Sequence, residues 1–167
     1  MKKLINIRYT GLLLLFLLAG ACSDDFLEKK PLVTPTTETF FETDEHAIQA
    51  TNAVYNMLRD WEVHVFSYIA ITDIISDDAD KGSEPNDATF LLEVDNFNFD
   101  SRNVAFSTVW RGYYRGIYRA NLAIQNIPDI EMDETLKARL IGENKFLRAY
   151  FYFNLVRWFG GVPLVLE

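Results

Sequence analysis

Three short stretches of the chain carry side chains in patterns that could do chemistry. Asp77, Asp78, Asp80, Glu84 and Asp87 place five carboxylates in one glycine- and proline-containing block. These are the oxygen ligands that a hard cation such as calcium takes, and Gly82 allows the tight bend such a loop needs. The spacing departs from the twelve-residue calcium loop, since the apolar position and final glutamate that should follow the glycine are missing. A solvated acidic loop is the alternative reading; no cofactor is required, and a structural calcium is the only one suggested. Phe97-Asn98-Phe99-Asp100 alternates rings with an amide and a carboxylate. A sugar asks for that pairing: an apolar face to lie against a pyranose and polar groups for its hydroxyls. Trp61 with His64 offers the same combination, and for each pair the alternative is a ring that anchors its loop to the core. His46 and His64 are the only histidines, too far apart in sequence to suggest a zinc site without unsupported acids. Cys22 is the only cysteine and so has no disulfide partner within the chain. It follows Ala19-Gly20-Ala21 and precedes Ser23-Asp24-Asp25, a setting in which lipidation is the remaining role, because a free thiol serves little purpose in an exported protein.

Catalytic chemistry finds no support. None of the acids sits in a motif that fixes acid and base roles, and neither a nucleophile elbow nor a glycine-rich phosphate loop is present. The chain is therefore not expected to be an enzyme. Its formal charge is −8, and loss of Lys2, Lys3 and Arg8 with a leader would take it to about −11, which excludes nucleic acid as a natural partner. Aromatic residues make up 14% of the sequence, enough to fill a helical core and still leave rings for a ligand.

The elements that must position these groups read as follows. Residues 1–21 form a secretory leader, with a basic start and an apolar run too short for a confident membrane span. Residues 22–41, with Pro31 and Pro35, form an extended tether. Residues 42–167 form the folded part. Thr43 caps a first helix over 44–61, with Ala47, Ala50, Val54, Leu58 and Trp61 along one face. A second helix of about three turns covers 63–75, although a buried strand fits nearly as well. The acidic block is a loop, and 90–102 is an irregular connection plugged by Phe90, Phe97 and Phe99. Ser107 caps a third helix that Pro128 ends, its inward stripe including Trp110, Tyr113, Ile117 and Ala120. Asp133 caps a fourth that runs to Gly160 and Gly161, with Leu136, Leu140, Leu147, Phe151, Leu155 and Trp158 inward. Tyr150, Phe151 and Phe153 are all expected in the core. Glu143 pairs best with Arg139, four residues before it. The short linker folds the last two helices into an antiparallel pair, so the expected class is all-α, built of tetratricopeptide-like helical hairpins with long irregular loops. The apolar run Val162-Pro163-Leu164-Val165-Leu166 suggests that more chain follows.

Two resemblances join these readings. The segment ending at Cys22 resembles the cleavage box of bacterial lipoproteins, and the acids after it resemble a surface-export signal of Bacteroidota lipoproteins. Cys22 through Pro31, then Trp110 through Tyr114 with Ile117 and Asn121, then Glu143 through Val165 together resemble the N-terminal third of the SusD/RagB family. That resemblance implies an all-helical outer membrane lipoprotein, anchored in lipid through acylated Cys22 and exposed at the cell surface. It implies a non-catalytic lid that binds a glycan, or sometimes a peptide, and delivers it to a SusC-like TonB-dependent transporter. It also implies that early helices touch the transporter, while much of the ligand contact comes from later parts of such a protein, which would lie partly or wholly after residue 167. In that setting residues 162–166 are expected to pack on that later part.

Overall fold

The computed structural model of the chain describes residues 40–167, which belong to one unit, Thr39–Glu167. The leader, Cys22 and all of the tether but Phe40 and Phe41 lie outside the described residues. Every regular element among the described residues is helical.

Helix α1 (Asp44–Tyr55) starts where the sequence says it should. The Thr43 hydroxyl accepts a hydrogen bond from the His46 N–H at 3.2 Å, and Asp44 and Glu45 lie in the positive first turn. The helix is shorter than expected. It tightens into a 3₁₀ turn, Asn56–Arg59, and breaks at Asp60, whose backbone is extended. The Asp60 carboxylate then accepts from the Glu62 N–H at 2.9 Å and caps the next element, so Trp61 begins a helix rather than ending one.

That next element is helical, and the strand alternative is excluded. It is not a regular α-helix: π-helical turns, Trp61–Val65 and Ala70–Ile74, flank a single α-turn, α2 (Phe66–Ile69). Residues 90–102, expected to be irregular throughout, contain a short helix, α3 (Thr89–Asp95). Two long helices follow, α4 (Val104–Asn126) and α5 (Glu134–Phe159), joined through a 3₁₀ turn at Pro128. The cap of α4 is Asn103, not Ser107. The Asn103 side chain accepts from the Ala105 N–H at 2.9 Å, whereas the Ser107 hydroxyl donates back to the Val104 carbonyl one turn inside the helix. Asp133 caps α5 by accepting from the Leu136 N–H at 2.8 Å. Gly160 ends it with φ 72° and ψ −133°, a backbone that a side chain would strain.

Helices α4 and α5 form the largest interface and carry the main core, where Tyr113, Ile117, Leu147, Phe151 and Leu155 are fully buried. Two glycines of α4 allow close approaches, Gly116 to α5 and Gly112 to the Trp61–Val65 turn. A Cβ on Gly116 would lie 2.7 Å from the Phe151 ring, and one on Gly112 would lie 2.8 Å from the Glu62 Cβ and 3.0 Å from Glu62 backbone atoms. Gly112 thus seats the Trp61–Val65 turn on α4. Arg111 and Arg115, on either side of Gly112, both reach the Glu62 carboxylate, at 2.9 and 2.7 Å. A second cluster, with Ala47, Ala123, Ile127 and Leu140, ties α1 to the far end of the hairpin. Phe41 packs on that cluster.

The ring-rich stretch of α5 divides. Phe151 is buried and Tyr150 partly so, but Phe153 is 60% exposed and joins Phe146 on an outer face, with the Arg157 guanidinium over its ring. The expectation that all three rings enter the core therefore fails at Phe153, because one helix can turn only part of its circumference to a single neighbour. The Arg139 and Glu143 side chains do pair, at 3.2 Å. No helix among the described residues is long and apolar enough to cross a membrane.

Candidate functional site

The connection between α3 and α4 is held by one buried side chain. Asn103, besides capping α4, donates to the Phe90 carbonyl at 2.9 Å and to the Glu93 carboxylate at 2.8 Å, clamping α3 to the start of α4. Between these anchors α3 ends in a paired-bond turn, with Asn98 N–H to the Glu93 carbonyl at 2.8 Å and Phe97 N–H to the Val94 carbonyl at 3.1 Å. This termination puts its key residue in the left-handed region, where glycine is usual. Here the residue is Phe97, with φ 54° and 68% of its surface exposed. A phenylalanine in strained backbone with little burial in return is a feature found at functional sites.

The chain then turns at Asp100, whose carboxylate accepts from the Arg102 backbone N–H at 2.8 Å and from its guanidinium at 2.6 Å. The guanidinium, followed by that backbone N–H, holds the Asp100 carboxyl below its ordinary pKa, so it stands as an anion on the surface.

Phe99 is thereby placed at the mouth of an open cleft of about 610 Å³. One wall is Phe99 with Phe106 and Trp110, and the other is Trp158 with Phe159 at the end of α5; Asp100, Ser101 and Ser107 supply polar groups. Its rings support one another: Phe99 and Phe106 lie 4.9 Å apart, and Trp110 meets Phe159 edge to face at 5.1 Å. A second, more polar cleft of about 550 Å³ shares Phe99 and Asp100 and includes Asn98, Glu93 and Arg102. Asn98 and Phe99 thus line cleft surface, while Phe97 lines neither of these two clefts.

Trp61 and His64 separate. Trp61 is 59% exposed and stacks on Phe66 at 5.2 Å, whereas His64 turns inward. The His64 Nδ1 lies 2.7 Å from the Leu58 carbonyl and so donates to it, and Nε2 accepts from the Tyr150 hydroxyl at 2.7 Å. Both ring nitrogens are therefore used inside the fold. Beside this pair the Tyr113 hydroxyl is buried without a hydrogen-bond partner among the described residues. Burial first, then the neighbouring Tyr150 and Tyr68 side chains, push its pKa well above 10.0.

Asp77, Asp78, Asp80, Glu84 and Asp87 are all exposed. Among the described residues no three His, Cys, Asp or Glu side chains are grouped to hold a metal ion. The Lys81 ammonium instead lies across this loop, donating to the Glu84 carbonyl at 2.6 Å and the Ser83 carbonyl at 3.3 Å.

Sequence reasoning missed the rings that complete the cleft with Phe99. Trp110 and Trp158 were read only as inward stripe residues, and Phe106 and Phe159 were not singled out. Their meeting depends on the register of the hairpin, which sets Gly116 against Phe151 and, two turns away, Trp110 against Phe159.

An all-helical scaffold with an antiparallel hairpin of tetratricopeptide kind, carrying an aromatic cleft at one end, is the class this fold and site define. A SusD-like family model described as "Starch-binding associating with outer membrane" matches residues 25–167. The chain belongs to the SusD-like family. It is 32% identical to SusD-like protein P38 of Formosa agariphila over 164 residues, 98% of this chain and 31% of that protein. It is 26% identical to SusD-like protein P25 of the same organism over 153 residues, 86% of this chain and 28% of that protein. A SusD-like protein of Bacteroides ovatus is 30% identical over 168 residues, 98% of this chain and 28% of that protein. The chain thus spans less than a third of the length of these curated relatives. No solved structure gives a significant match.

Proposed function

We propose that this chain forms part of a surface lipoprotein of the outer membrane that binds a glycan in the Phe99 cleft and passes it, uncut, to a SusC-like TonB-dependent transporter. The observation that carries the reading is the pairing of the exposed Phe99 and its half-buried neighbouring rings with Asp100, Ser101, Ser107 and, next door, Asn98. Rings can lie on the apolar faces of sugars, and carboxylate, hydroxyl and amide groups can bond their hydroxyls. The family description, which names starch binding and the outer membrane, supports the ligand class and the location. Phe99 is the ring we assign to ligand contact and Asn98 and Asp100 the polar partners; Phe97 is an exposed ring next to them in the chain, and Trp61 is an exposed ring stacked on Phe66. His64 is assigned to the fold.

Maltooligosaccharide and starch titrations, with product analysis, test this reading. Retention with unchanged polymer length, lost in Phe99→Ala, supports binding without hydrolysis; shortened chains would favour a glycoside hydrolase. An interaction protein that caps a transporter without its own ligand is the second reading, favoured by the exposed Phe146 and Phe153 face of α5. Capture of the transporter with no retention of any glycan would decide for it. Anchoring through Cys22 is tested by palmitate labelling of wild type and Cys22→Ala. A structural calcium in the acidic loop is a separate proposal resting on the five carboxylates. It predicts a rise in melting temperature on adding calcium that Asp80→Asn abolishes, and no shift would reject it.

A further inference from the structure

Residues 162–166 leave α5 through Gly160 and Gly161 and run back along the hairpin as an extended strap. It is held almost entirely by side chains on its backbone. Tyr114 donates to the Pro163 carbonyl at 2.7 Å. The Tyr152 hydroxyl accepts from the Val165 N–H at 2.6 Å and donates to the Val165 carbonyl at 2.8 Å. Asn121, buried to 1% exposure, donates to that same carbonyl at 3.0 Å while its own oxygen accepts from Arg148 at 2.8 Å. The strap's side chains contribute less, since Leu164, Val165 and Leu166 are exposed and only Val162 packs on the core.

The turn before the strap is tied back to α5 by one bond, Gly160 N–H to the Val156 carbonyl at 3.0 Å. Cβ atoms built on Gly160 and Gly161 would meet nothing within 4 Å. Phe159, a cleft wall residue, immediately precedes that turn, and Trp110, which it meets edge to face, lies tilted against Tyr114 at 5.0 Å, the residue that holds Pro163. Phe159 is the last residue of α5, so its position depends on what fixes the chain after it.

We propose that Tyr152 and Asn121 are positioning residues for the aromatic cleft: by gripping the Val165 backbone they hold the strap to the hairpin and so fix the Phe159 and Trp110 walls. Neither residue lines the cleft. A clamp on backbone groups is indifferent to the side chains of the strap and needs only its extended geometry. The consequence for affinity rests on the cleft binding a glycan as proposed above, while the consequence for cleft geometry does not.

The test uses the full chain carrying Trp61→Phe, so that Trp110 and Trp158 are its only tryptophans. Adding Tyr152→Phe keeps the ring and removes both bonds to Val165. The Val165 amide is expected to exchange about tenfold faster, and acrylamide quenching of the two tryptophans to rise about 1.5-fold, with the helical melt little changed. Tyr114→Phe, which frees Pro163, should move quenching the same way, whereas Phe146→Ala on the outer face of α5 should not. Maltooligosaccharide affinity should fall about threefold to tenfold, because a loosened cleft must be ordered on binding. A faster Val165 amide with unchanged quenching would overturn the inference, as would unchanged affinity in a chain that binds. If the parent chain binds no oligosaccharide, the glycan reading fails, and the positioning role is decided by quenching alone.

Discussion

The α4/α5 hairpin and the stretch from Asp60 to Asn103 solve the same problem in opposite ways. The hairpin is regular: long helices, side-chain caps at both starts, and a glycine, Gly116, seated against the fully buried ring of Phe151. The Asp60 to Asn103 stretch is held by individual bonds, among them Asp60 on Glu62, Asn103 on Phe90 and Glu93, and Asp100 on Arg102. It contains π-helical turns and both non-glycine residues with positive φ, Ala88 and Phe97, found among the described residues. The cleft forms where the two meet. The large fully buried rings, Tyr113 and Phe151, lie in the hairpin, and irregular geometry is concentrated in the other stretch.

Breaking the hairpin should have the largest effects. Phe151→Ala removes a fully buried ring and should destabilise by about 3–5 kcal/mol in urea unfolding; a loss under about 1 kcal/mol would mean that the hairpin is not the stable half. Gly116→Ala forces a Cβ to within 2.7 Å of that ring. Overpacking of this kind costs about 1–3 kcal/mol, more than the roughly 1 kcal/mol that alanine returns in helix propensity. A stabilised variant would show that the interface relaxes freely.

The orphan Tyr113 hydroxyl gives a smaller effect with a defined pH window. Its folded pKa is raised above 10.0, so the neutral form is favoured by folding. That contribution is fully present below the unfolded value and is lost as pH rises through 10.0 toward the folded value. Tyr113→Phe should be neutral or stabilising by up to about 1 kcal/mol at pH 7, because a buried unpaired hydroxyl disappears. Its stability should also fall less steeply above pH 10 than that of wild type. Equal slopes in paired urea titrations would show that Tyr113 does not contribute to the alkaline transition.

The smallest effects are expected at the cleft. Beside it, Phe97→Gly relieves a left-handed phenylalanine that lines neither cleft and should raise stability by roughly 0.5–1 kcal/mol in urea unfolding. Phe99→Ala should leave stability within about 0.5 kcal/mol of wild type, as for a largely surface substitution, while weakening glycan retention. The reverse pattern, a large stability loss with retention intact, would return Phe99 to the role of loop anchor.

Much of this was legible in one dimension because it depends on neighbours in the chain. Thr43 and Asp133 cap helices by bonding N–H groups three residues on, and Pro128, Gly160 and Gly161 end them through their own backbone limits. The pairing of Arg139 with Glu143 lies within one turn. The resemblance to the SusD/RagB family also rested on contiguous motifs. The N-terminal boundary of α4 was misread because Asn103 and Ser107 both have capping chemistry. What selected Asn103 was its reach to Phe90 and Glu93, residues on another helix.

The sequence by itself determined that the described fold would be helical and that its last two helices would pair. Tertiary structure decided the register that brings Trp110 to Phe159, the inward turn of His64 onto Tyr150, the exposure of Phe153 and the course of the strap along α4 and α5. The physical reason is range. Caps and helix periods follow from bonds and spacings of a few residues, whereas a cleft wall, a buried hydroxyl or a backbone clamp exists only once helices distant in sequence have packed.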